Sequence, residues 1–364
     1  MARLVKRLAL SLGILAGLSI GAELYLRNAG YGAIPNVWFD PDMGTRFHPS
    51  QTRKIYVNKL IDGKRVLTFL SDASINAQGF RDTDFDDARV ARARRIACVG
   101  DSFTFGWGVG DSDAFPQVLH RALDEGDTRG RWQVMNFGMP GYNTWQELQL
   151  YRKAVRPWKP EVVVIGWYMN DLDPFGYGAT GSLSQMGHPL AGTALLDWYV
   201  RKARPVKPNF VFNGLDTEVA QGLKGFYDQN TTLFDFDAGD ERARPYVERN
   251  LGHLGQLVAA IEADGARPVL LVFPSAEQVV DLETKRAALP EADYAARRAQ
   301  VTRIQRDLAA FAAERGILCV DLLDTFLAGG PGTFDDVDLS HPGEHGHRLA
   351  AEALRSALAG AGAL

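Results

Sequence analysis

The sequence predicts an α/β protein built on a mostly parallel sheet, and two observations support this. From Arg95 onward, five short apolar runs alternate with stretches that carry apolar residues at helical spacing. Such alternation indicates parallel strands joined by crossover helices, and each crossover is expected to be right-handed. The 364 residues also suffice for one large domain with additional segments.

Each predicted element follows from its pattern of apolar residues. The predicted strands are 96–99, 134–137, 162–165, 268–273 and 318–322. The predicted amphipathic helices are 114–123, 144–155, 247–263, 294–315 and 348–358. Cys98 and Cys319 lie within two of the strand runs, so we expect buried free thiols rather than a disulfide.

Composition and charge exclude several classes of protein. Hydrophobic residues make up 46% of the chain and charged residues 23%, close to the average of soluble globular proteins. The net charge is -4, whereas nucleic-acid-binding domains are usually basic, so we expect no nucleic-acid partner.

The N-terminus predicts export or anchoring. Arg3, Lys6 and Arg7 precede an uncharged run over 8–22, and Glu23 follows this run. A basic segment followed by an apolar run of this length is typical of a signal peptide, and an uncleaved single-span anchor over 8–26 is the alternative. The expected location is the periplasm or the cell surface, with the membrane a partner only if the segment is uncleaved.

We expect three parts in the chain: the signal or anchor at 1–27, a β-rich preamble at 28–90 and the main domain at 91–364. Strand-like runs on either side of Asp62-Gly63 predict a hairpin in the preamble. The Gly in Asn-Ala-Gln-Gly-Phe-Arg-Asp, at 76–82, suggests a turn laid against the main domain. The region 174–246 does not follow the α/β alternation and is either a functional loop or a structural insertion.

Ser102 is the first candidate for chemistry. It follows the first apolar run within Gly-Asp-Ser-Phe-Thr-Phe-Gly, where a buried strand gives way to a turn and a helix. A serine there can be activated by a base and is close to free backbone N–H groups, although serine also caps helices without any catalytic role. Thr104 stands where the α/β-hydrolase elbow Gly-x-Ser-x-Gly requires glycine, so that fold is not supported.

Four segments together resemble the SGNH (GDSL) hydrolase family. Gly-Asp-Ser at 100–102 resembles its first block, with Phe103 in place of the usual Leu. Asn-Phe-Gly-Met-Pro-Gly at 136–141, Gly-Trp-Tyr-Met-Asn-Asp at 166–171 and Asp-Leu-Ser-His-Pro at 338–342 resemble the other blocks. The first three follow successive predicted strands, an order that chance does not readily produce.

The resemblance implies a role for each matching residue. Ser102 would be the nucleophile, His341 the base and Asp338 the carboxylate that orients the base. The N–H groups of Ser102 and Gly141 and the Asn170 amide would form the oxyanion hole. Two alternatives remain when each residue is considered alone. Gly141 is then a glycine that only forms a turn, and Asn170 belongs to a solvated acidic loop with Asp171 and Asp173.

The resemblance further implies a flavodoxin-like, doubly wound sheet with strand order 2-1-3-4-5 and helices on both faces. Together with 1–27 and 76–82, the first block resembles a bacterial membrane-anchored subgroup of the family. No cofactor is implied.

His341-Pro-Gly-Glu-His345 also matches the H-x-x-E-H motif of some metallopeptidases. That motif needs a helix with both histidines on one face, and Pro342 and Gly343 make a helix unfavourable there. We therefore expect no metal site.

The expected function is a serine-dependent ester hydrolase acting on O-acyl groups of envelope or extracellular glycans, or on lipid esters. O-acetylated carbohydrate ranks first by analogy with the family. The alternatives are an O-acetyltransferase of exported polysaccharide, which would use the same acyl-enzyme, and a non-catalytic glycan-binding envelope protein.

Overall fold

The computed structural model describes residues 2–28, 37–40, 43–61, 64–85, 93–125, 132–172, 244–330, 332–336 and 340–364. In chain order the helices and strands are α1 (Ala2–Asn28), β1 (Val37–Asp40), β2 (Gly44–Phe47), β3 (Gln51–Ile61), β4 (Lys64–Ile75), β5 (Arg94–Gly100), α2 (Ser102–Phe105), α3 (Phe115–Asp124), β6 (Trp132–Gly138), α4 (Thr144–Leu150), β7 (Val162–Trp167), α5 (Arg244–Ala263), β8 (Arg267–Val272), α6 (Ala276–Ala288), α7 (Glu291–Val301), α8 (Arg303–Arg315), β9 (Leu318–Asp321), α9 (Leu323–Gly329) and α10 (Glu344–Gly360).

The central sheet confirms the predicted fold class. Its five strands pair in the order β6-β5-β7-β8-β9, and every pairing is parallel. Counting from β5 as the first strand, this is the expected order 2-1-3-4-5. The carboxyl ends of β5, β6 and β7 therefore lie side by side, at the edge where doubly wound sheets place their reactive groups.

The middle strands are buried because both faces of the sheet are covered by helices. All residues of β6 and β7 are buried. Cys98 on β5 and Val164 on β7 belong to one core cluster with Phe115 of α3 and Leu354 of α10. Parallel strands covered on both faces require such continuous apolar runs, which is why the sequence predicted these strands well. Both cysteines are free, with Cys98 buried and Cys319 partly buried.

The helices differ from prediction in several places. The predicted helix over 294–315 is two helices, α7 and α8, because Thr302 leaves the helical conformation at φ -103° and ψ 16°. The sequence analysis missed α6, which begins with a capping box between Ser275 and Gln278, and it also missed α9. The helix predicted over 144–155 is α4 followed by a π-helical turn, Tyr151–Val155.

The predicted hairpin is present as β3 and β4, which pair antiparallel from Gln51↔Ile75 to Ile61↔Lys64. That pairing leaves a two-residue connection at Asp62-Gly63, although these two residues lie outside the described part of the chain. The segment after β4 lies against the sheet domain, as Gly79 suggested. Phe80 packs edge-on against Phe137 of β6, with ring centroids 4.7 Å apart.

Two compact units divide the chain. The smaller comprises Met1–Arg46 and Gly178–Phe210, and the larger comprises Phe47–Tyr177 and Val211–Leu364. Most of the predicted insertion at 174–246 lies outside the described residues, and the boundaries predicted at 27 and 90 remain predictions. Among the described residues, no helix combines the length and apolarity needed to cross a membrane.

His347 joins the start of α10 to the start of α3. It is fully buried, and its Nδ1 accepts a hydrogen bond from the backbone N–H of Phe115 at 3.2 Å. Burial, together with smaller contributions from the charges of Arg81 and His341, lowers the pKa of His347 to about 3. The folded protein therefore keeps this ring neutral at a pH where the unfolded chain takes up a proton.

We expect His347 to make stability fall with acidification. Its contribution is complete above the ordinary histidine pKa of about 6.5 and is lost as pH falls toward the folded value, because only the unfolded chain then gains a proton. His347→Asn keeps an acceptor for the Phe115 N–H and removes this titration. Urea midpoints at about pH 7.5 and 4.5 should therefore differ less in the variant than in the wild type, and equal differences would contradict the assignment.

Candidate active site

Ser102 is the first residue of α2 and follows β5 after the single residue Asp101. The Asp101 side chain caps the helix, since its Oδ1 accepts from the backbone N–H of Phe103 at 2.9 Å. Ser102 is 9% exposed. Because the first N–H groups of a helix have no partner within it, this turn can offer donors next to the hydroxyl.

A row of three glycines supports α2. Gly100 of β5 pairs with Gly138 of β6 on one side and with Gly166 of β7 on the other. A methyl group at Gly100 or Gly166 would collide with the Thr104 side chain, and one at Gly138 would collide with the backbone of Phe105. The absence of three side chains at one level therefore lets α2 lie directly on the ends of the strands.

Ser102 and His341 are in direct contact. Ser102 Oγ lies 2.8 Å from His341 Nε2, although 238 residues separate them in the chain. His341 is held in the turn before α10 because its carbonyl accepts from Asp335 N at 2.9 Å. For Ser102 to donate to Nε2, the ring proton must be on Nδ1, which is 3.5 Å from Ser340 Oγ.

Asn170 is linked to the nucleophile turn through Asp101. Asn170 lies in the one-turn 3₁₀ helix Met169–Leu172, directly after β7, and its side chain hydrogen-bonds the Asp101 carboxylate. The Asp101 carboxylate also lies 3.5 Å from Ser102 Oγ. Asp101 thus accepts one amide hydrogen of Asn170, and an amide nitrogen has a second hydrogen to donate.

Gly141 lies in the loop after β6, where its backbone has φ +77°, a conformation that favours glycine. The loop is attached to the neighbouring strand end, since Met139 N donates to Gly100 O at 2.9 Å. The loops after β5, β6 and β7 therefore carry Ser102, Gly141 and Asn170. Asp338 lies outside the described residues, and its contact with His341 remains a prediction.

A buried polar network, not foreseen from the sequence, supports the turn that carries Asn170. The Asp171 carboxylate accepts from Thr144 Oγ1 at 2.8 Å and from Tyr168 N at 3.0 Å. Asn250 of α5 donates to Thr144 Oγ1 at 2.7 Å and to Asp171 O at 2.8 Å, and accepts from Trp167 Nε1 at 3.0 Å. Asp171 is 4% exposed, so the alternative of a solvated acidic loop is wrong for this residue.

Three carboxyl groups are buried together behind the nucleophile turn. Burial raises the pKa values of Asp101, Asp171 and Glu147, and Asp101 raises the other two further through charge repulsion. The hydrogen bond from Phe103 N–H, the charge of His341 and the hydrogen bond from Asn170 oppose the rise in the pKa of Asp101. Neither Glu147 side-chain oxygen has a hydrogen-bond partner among the described residues, so Glu147 is the group that burial most favours in its neutral form.

Aromatic rings surround the Ser102–His341 pair. The Tyr168 ring stacks on Phe103 with centroids 3.8 Å apart, and the Trp107 ring lies 6.1 Å from the His341 ring. Trp107 and Tyr168 are both half-buried and so retain some accessible ring surface. Flat apolar surfaces beside a nucleophile can contact sugar faces or acyl groups.

His341 and His345 of the H-x-x-E-H motif do not lie on one helix. The helix begins only at Glu344, so His341 precedes it. His341 contacts Ser102, whereas His345 Nε2 lies 3.1 Å from Gly329 O. Within the described ranges, no group of three or more His, Cys, Asp or Glu side chains is placed to hold a metal ion.

Sequence reasoning overlooked Thr144, Asn250, Trp107 and Tyr168. Asn250 carried a usable signal, because it lies four residues from both Tyr246 and Leu254, on the buried face of α5. A polar residue on such a face needs buried hydrogen-bond partners. The two aromatic residues carried no comparable signal.

The chain matches the model of one protein family. The model of the GDSL-like lipase/acylhydrolase family matches residues 98–349, more than half of the chain. No curated protein matches the chain.

Similar solved structures include an acetyl xylan esterase, AlAXEase, at 13% identity over 72% of this chain and 99% of that one, with a TM-score of 0.43. TesA is 18% identical over 73% of this chain and 98% of that one, with a TM-score of 0.41. A catalytic mutant of Axe2, an acetylxylan esterase from Geobacillus stearothermophilus, is 14% identical over 73% and 94%, with a TM-score of 0.42. The family match, joined to a serine–histidine pair at the carboxyl edge of the sheet, shows that the chain belongs to the GDSL-like lipase/acylhydrolase family and is a serine esterase.

Proposed function

We propose that the protein hydrolyses O-acetyl esters of exported carbohydrate through an acyl-serine intermediate. The observation that carries the proposed mechanism is the 2.8 Å contact between Ser102 Oγ and His341 Nε2. A serine hydroxyl is a weak nucleophile unless a base accepts its proton, and this distance is within hydrogen-bond range.

In the acylation step, Ser102 Oγ attacks the ester carbonyl carbon while His341 Nε2 takes the hydroxyl proton. The tetrahedral intermediate collapses by breaking the bond to the alkoxy oxygen. The leaving alcohol takes the proton from Nε2, and the acyl group stays on Ser102 as an ester. Asp338 would hold Nδ1–H and stabilise the imidazolium, the role that the resemblance implies.

The developing oxyanion would be bound by the backbone N–H groups of Ser102 and Gly141 and by the Asn170 amide. Asp101 supports this arrangement, because by accepting one amide hydrogen it fixes the orientation of the Asn170 amide and leaves the second N–H of that nitrogen to donate to the oxyanion. The network of Asp171, Thr144 and Asn250 restrains the turn that carries Asn170. Donors fixed before the reaction stabilise the charge without reorganisation.

In the deacylation step, His341 removes a proton from water as the water attacks the acyl-serine. Collapse breaks the bond to Ser102 Oγ, returns the proton to the serine and releases the carboxylic acid. An acceptor hydroxyl in place of water would give acyl transfer through the same steps. Product analysis with an added saccharide acceptor separates the two reactions.

The substrate class is argued from the surroundings of the serine. Trp107 offers a partly accessible ring beside His341, and Tyr168 stacks on Phe103, whose ring lies 5.1 Å from that of His341. Aromatic faces suit contact with pyranose rings. The family resemblance favours O-acetylated carbohydrate over lipid esters by analogy. Both arguments favour a saccharide that bears a small acyl group.

We also propose that the protein is exported to the periplasm or cell surface by its N-terminal segment. The support is the sequence order of Arg3, Lys6 and Arg7 followed by the apolar run over 8–22. Cell fractionation followed by intact-mass measurement would detect export and any cleavage, and recovery of the full-length chain in the cytosol alone would refute it.

Ser102→Ala should abolish hydrolysis of p-nitrophenyl acetate and labelling by a fluorophosphonate probe, because the variant lacks the attacking oxygen. We expect kcat to fall by at least about a thousand-fold. The matched control is Ser112→Ala, which removes an exposed hydroxyl from outside the site. Undiminished labelling of the Ser102 variant would refute the nucleophile assignment.

Hydrolysis of p-nitrophenyl acetate also tests whether Asn170 binds the oxyanion. Asn170→Ala should lower kcat by about 10²- to 10³-fold with little change in KM, since the lost donor acts in the transition state. If the Asn170→Ala variant is folded by circular dichroism and its kcat is unchanged, Asn170 does not bind the oxyanion.

Trp107→Ala should raise KM for an acetylated xylo-oligosaccharide and leave KM for p-nitrophenyl acetate nearly unchanged, because only the saccharide is large enough to use the ring. Trp158→Ala is the control, as this ring packs against Phe85. A preference for long-chain p-nitrophenyl esters over acetylated saccharide would instead favour a lipid ester as substrate.

A further inference from the structure

Arg81 lies outside the part of the chain that matches the family, yet its guanidinium is buried beside the nucleophile helix. The family match begins at residue 98, and Arg81 precedes it in the segment 76–85 that follows β4. Its side chain is 1% exposed. A buried arginine has a large desolvation cost, so its hydrogen bonds indicate what it stabilises.

The guanidinium has five N–H groups and contacts five acceptors. Nη1 donates to Phe105 O at 3.2 Å and to Gly106 O. Nη2 donates to Val109 O at 2.6 Å and to Asp72 O at 3.2 Å. Nε donates to Asp111 Oδ1 at 2.9 Å, which makes an ion pair. Three of these acceptors are backbone carbonyls in the stretch that immediately follows Ser102.

Two of these carbonyls, those of Phe105 and Gly106, lie at the end of α2, a helix that is too short to be stable by itself. The α2 helix has four residues, and isolated helices shorter than about 12 residues are marginal in water. The last carbonyls of a helix have no partner within it, and a cation at that end is favourable. Arg81 supplies both the hydrogen bonds and the charge at the end of α2 that faces away from Ser102.

The adjacent residue, Asp82, contacts the strand that leads to the second block. Its Oδ2 accepts from Asn136 N at 2.8 Å, and Asn136 Oδ1 accepts from Gly138 N at 2.9 Å. Gln117 of α3 joins the two contacts, since its Nε2 donates to Arg81 O at 3.2 Å and its Oε1 accepts from Asn136 Nδ2 at 3.3 Å. Residues 81 and 82 therefore connect the loop after Ser102 with the strand before Gly141.

The segment that carries this pair is itself restrained. Asn76 Oδ1 accepts from Gln78 N and Phe80 N, and Asn76 Nδ2 donates to Thr83 O. Phe80 and Phe85 pack against Phe137 of β6, with ring centroids 4.7 Å and 5.0 Å from it. A restrained segment can hold a guanidinium in one place, which a mobile loop could not.

We propose that Arg81 is a positioning residue for the nucleophile: by binding the carbonyls that follow Ser102, it holds α2 on the glycine row with Ser102 facing His341. This inference rests on Ser102 being the nucleophile. Asp82 assists by holding the β6 strand end at the same level. The segment 76–85 thereby contributes to the geometry of the active site.

The test compares Arg81→Lys with Arg95→Lys. Lysine keeps the charge but has three donors on one atom and cannot reach the same set of carbonyls. Arg95 is the matched control, because it also donates to a backbone carbonyl, Trp158 O at 2.9 Å, but lies at the opposite end of β5 from Ser102. Both variants are made in the full chain and assayed well below their melting temperatures.

For Arg81→Lys we expect the rate of fluorophosphonate labelling of Ser102 and kcat for p-nitrophenyl acetate to fall together by about 10- to 100-fold, with KM little changed, since misplacement of a reacting group by about 1 Å costs a factor of this size. Arg95→Lys should label at the wild-type rate. A lower melting temperature for Arg81→Lys with wild-type labelling and kcat would overturn the inference and leave Arg81 a purely structural residue.

Two further readouts keep the outcomes distinguishable. If the wild type is neither labelled nor active, the proposed function fails, and amide hydrogen exchange of residues 102–109 then tests the role of Arg81. Faster exchange in Arg81→Lys than in Arg95→Lys supports the inference, and equal exchange refutes it.

In Arg81→Ala, millimolar guanidinium should restore part of the labelling rate. Absence of rescue in a folded Arg81→Ala variant would count against a role for the guanidinium itself.

Discussion

The close packing of α2 on Gly100, Gly138 and Gly166 is the constraint on which the site depends. These residues pair across three parallel strands, so the sheet presents a flat surface at one level. Any side chain there would lift the helix and move Ser102 away from His341. Register in a parallel sheet is set by its buried faces, and the apolar strands thereby determine the position of Ser102.

Around this surface, the polar groups of the site are held by buried hydrogen bonds rather than by surface loops alone. Asp101 caps the helix that begins at Ser102 and also binds the Asn170 side chain. Asn250 of α5 donates to Asp171 O, in the turn that carries Asn170. Unpaired polar groups are costly in such an interior, so satisfied networks have few alternative arrangements. A catalytic site benefits from this, because donors that are already placed need not reorganise as charge develops.

The segment 76–85 contacts the sheet domain next to the helix that begins at Ser102. Arg81 binds the backbone after Ser102, and the Phe80 and Phe85 rings cover Phe137 on β6. The match to the family begins after this segment, so Arg81 precedes the matched region although its guanidinium binds backbone within that region. The arrangement explains why the compact unit that contains the sheet begins at Phe47, well before the first parallel strand.

The sequence by itself determined the five parallel strands, their order through the family resemblance, the hairpin, and the identity of Ser102, Gly141, Asn170, Asp338 and His341 as candidates. These features depend on local patterns: buried parallel strands need continuous apolar runs, and the motif residues follow them directly. Only the tertiary structure decided that Ser102 and His341 touch, that Asp171 is buried rather than solvated, and that Thr144, Asn250 and Arg81 support the site. Those contacts join residues far apart in the chain, and a hydrogen bond between distant segments leaves no periodic signal in either of them.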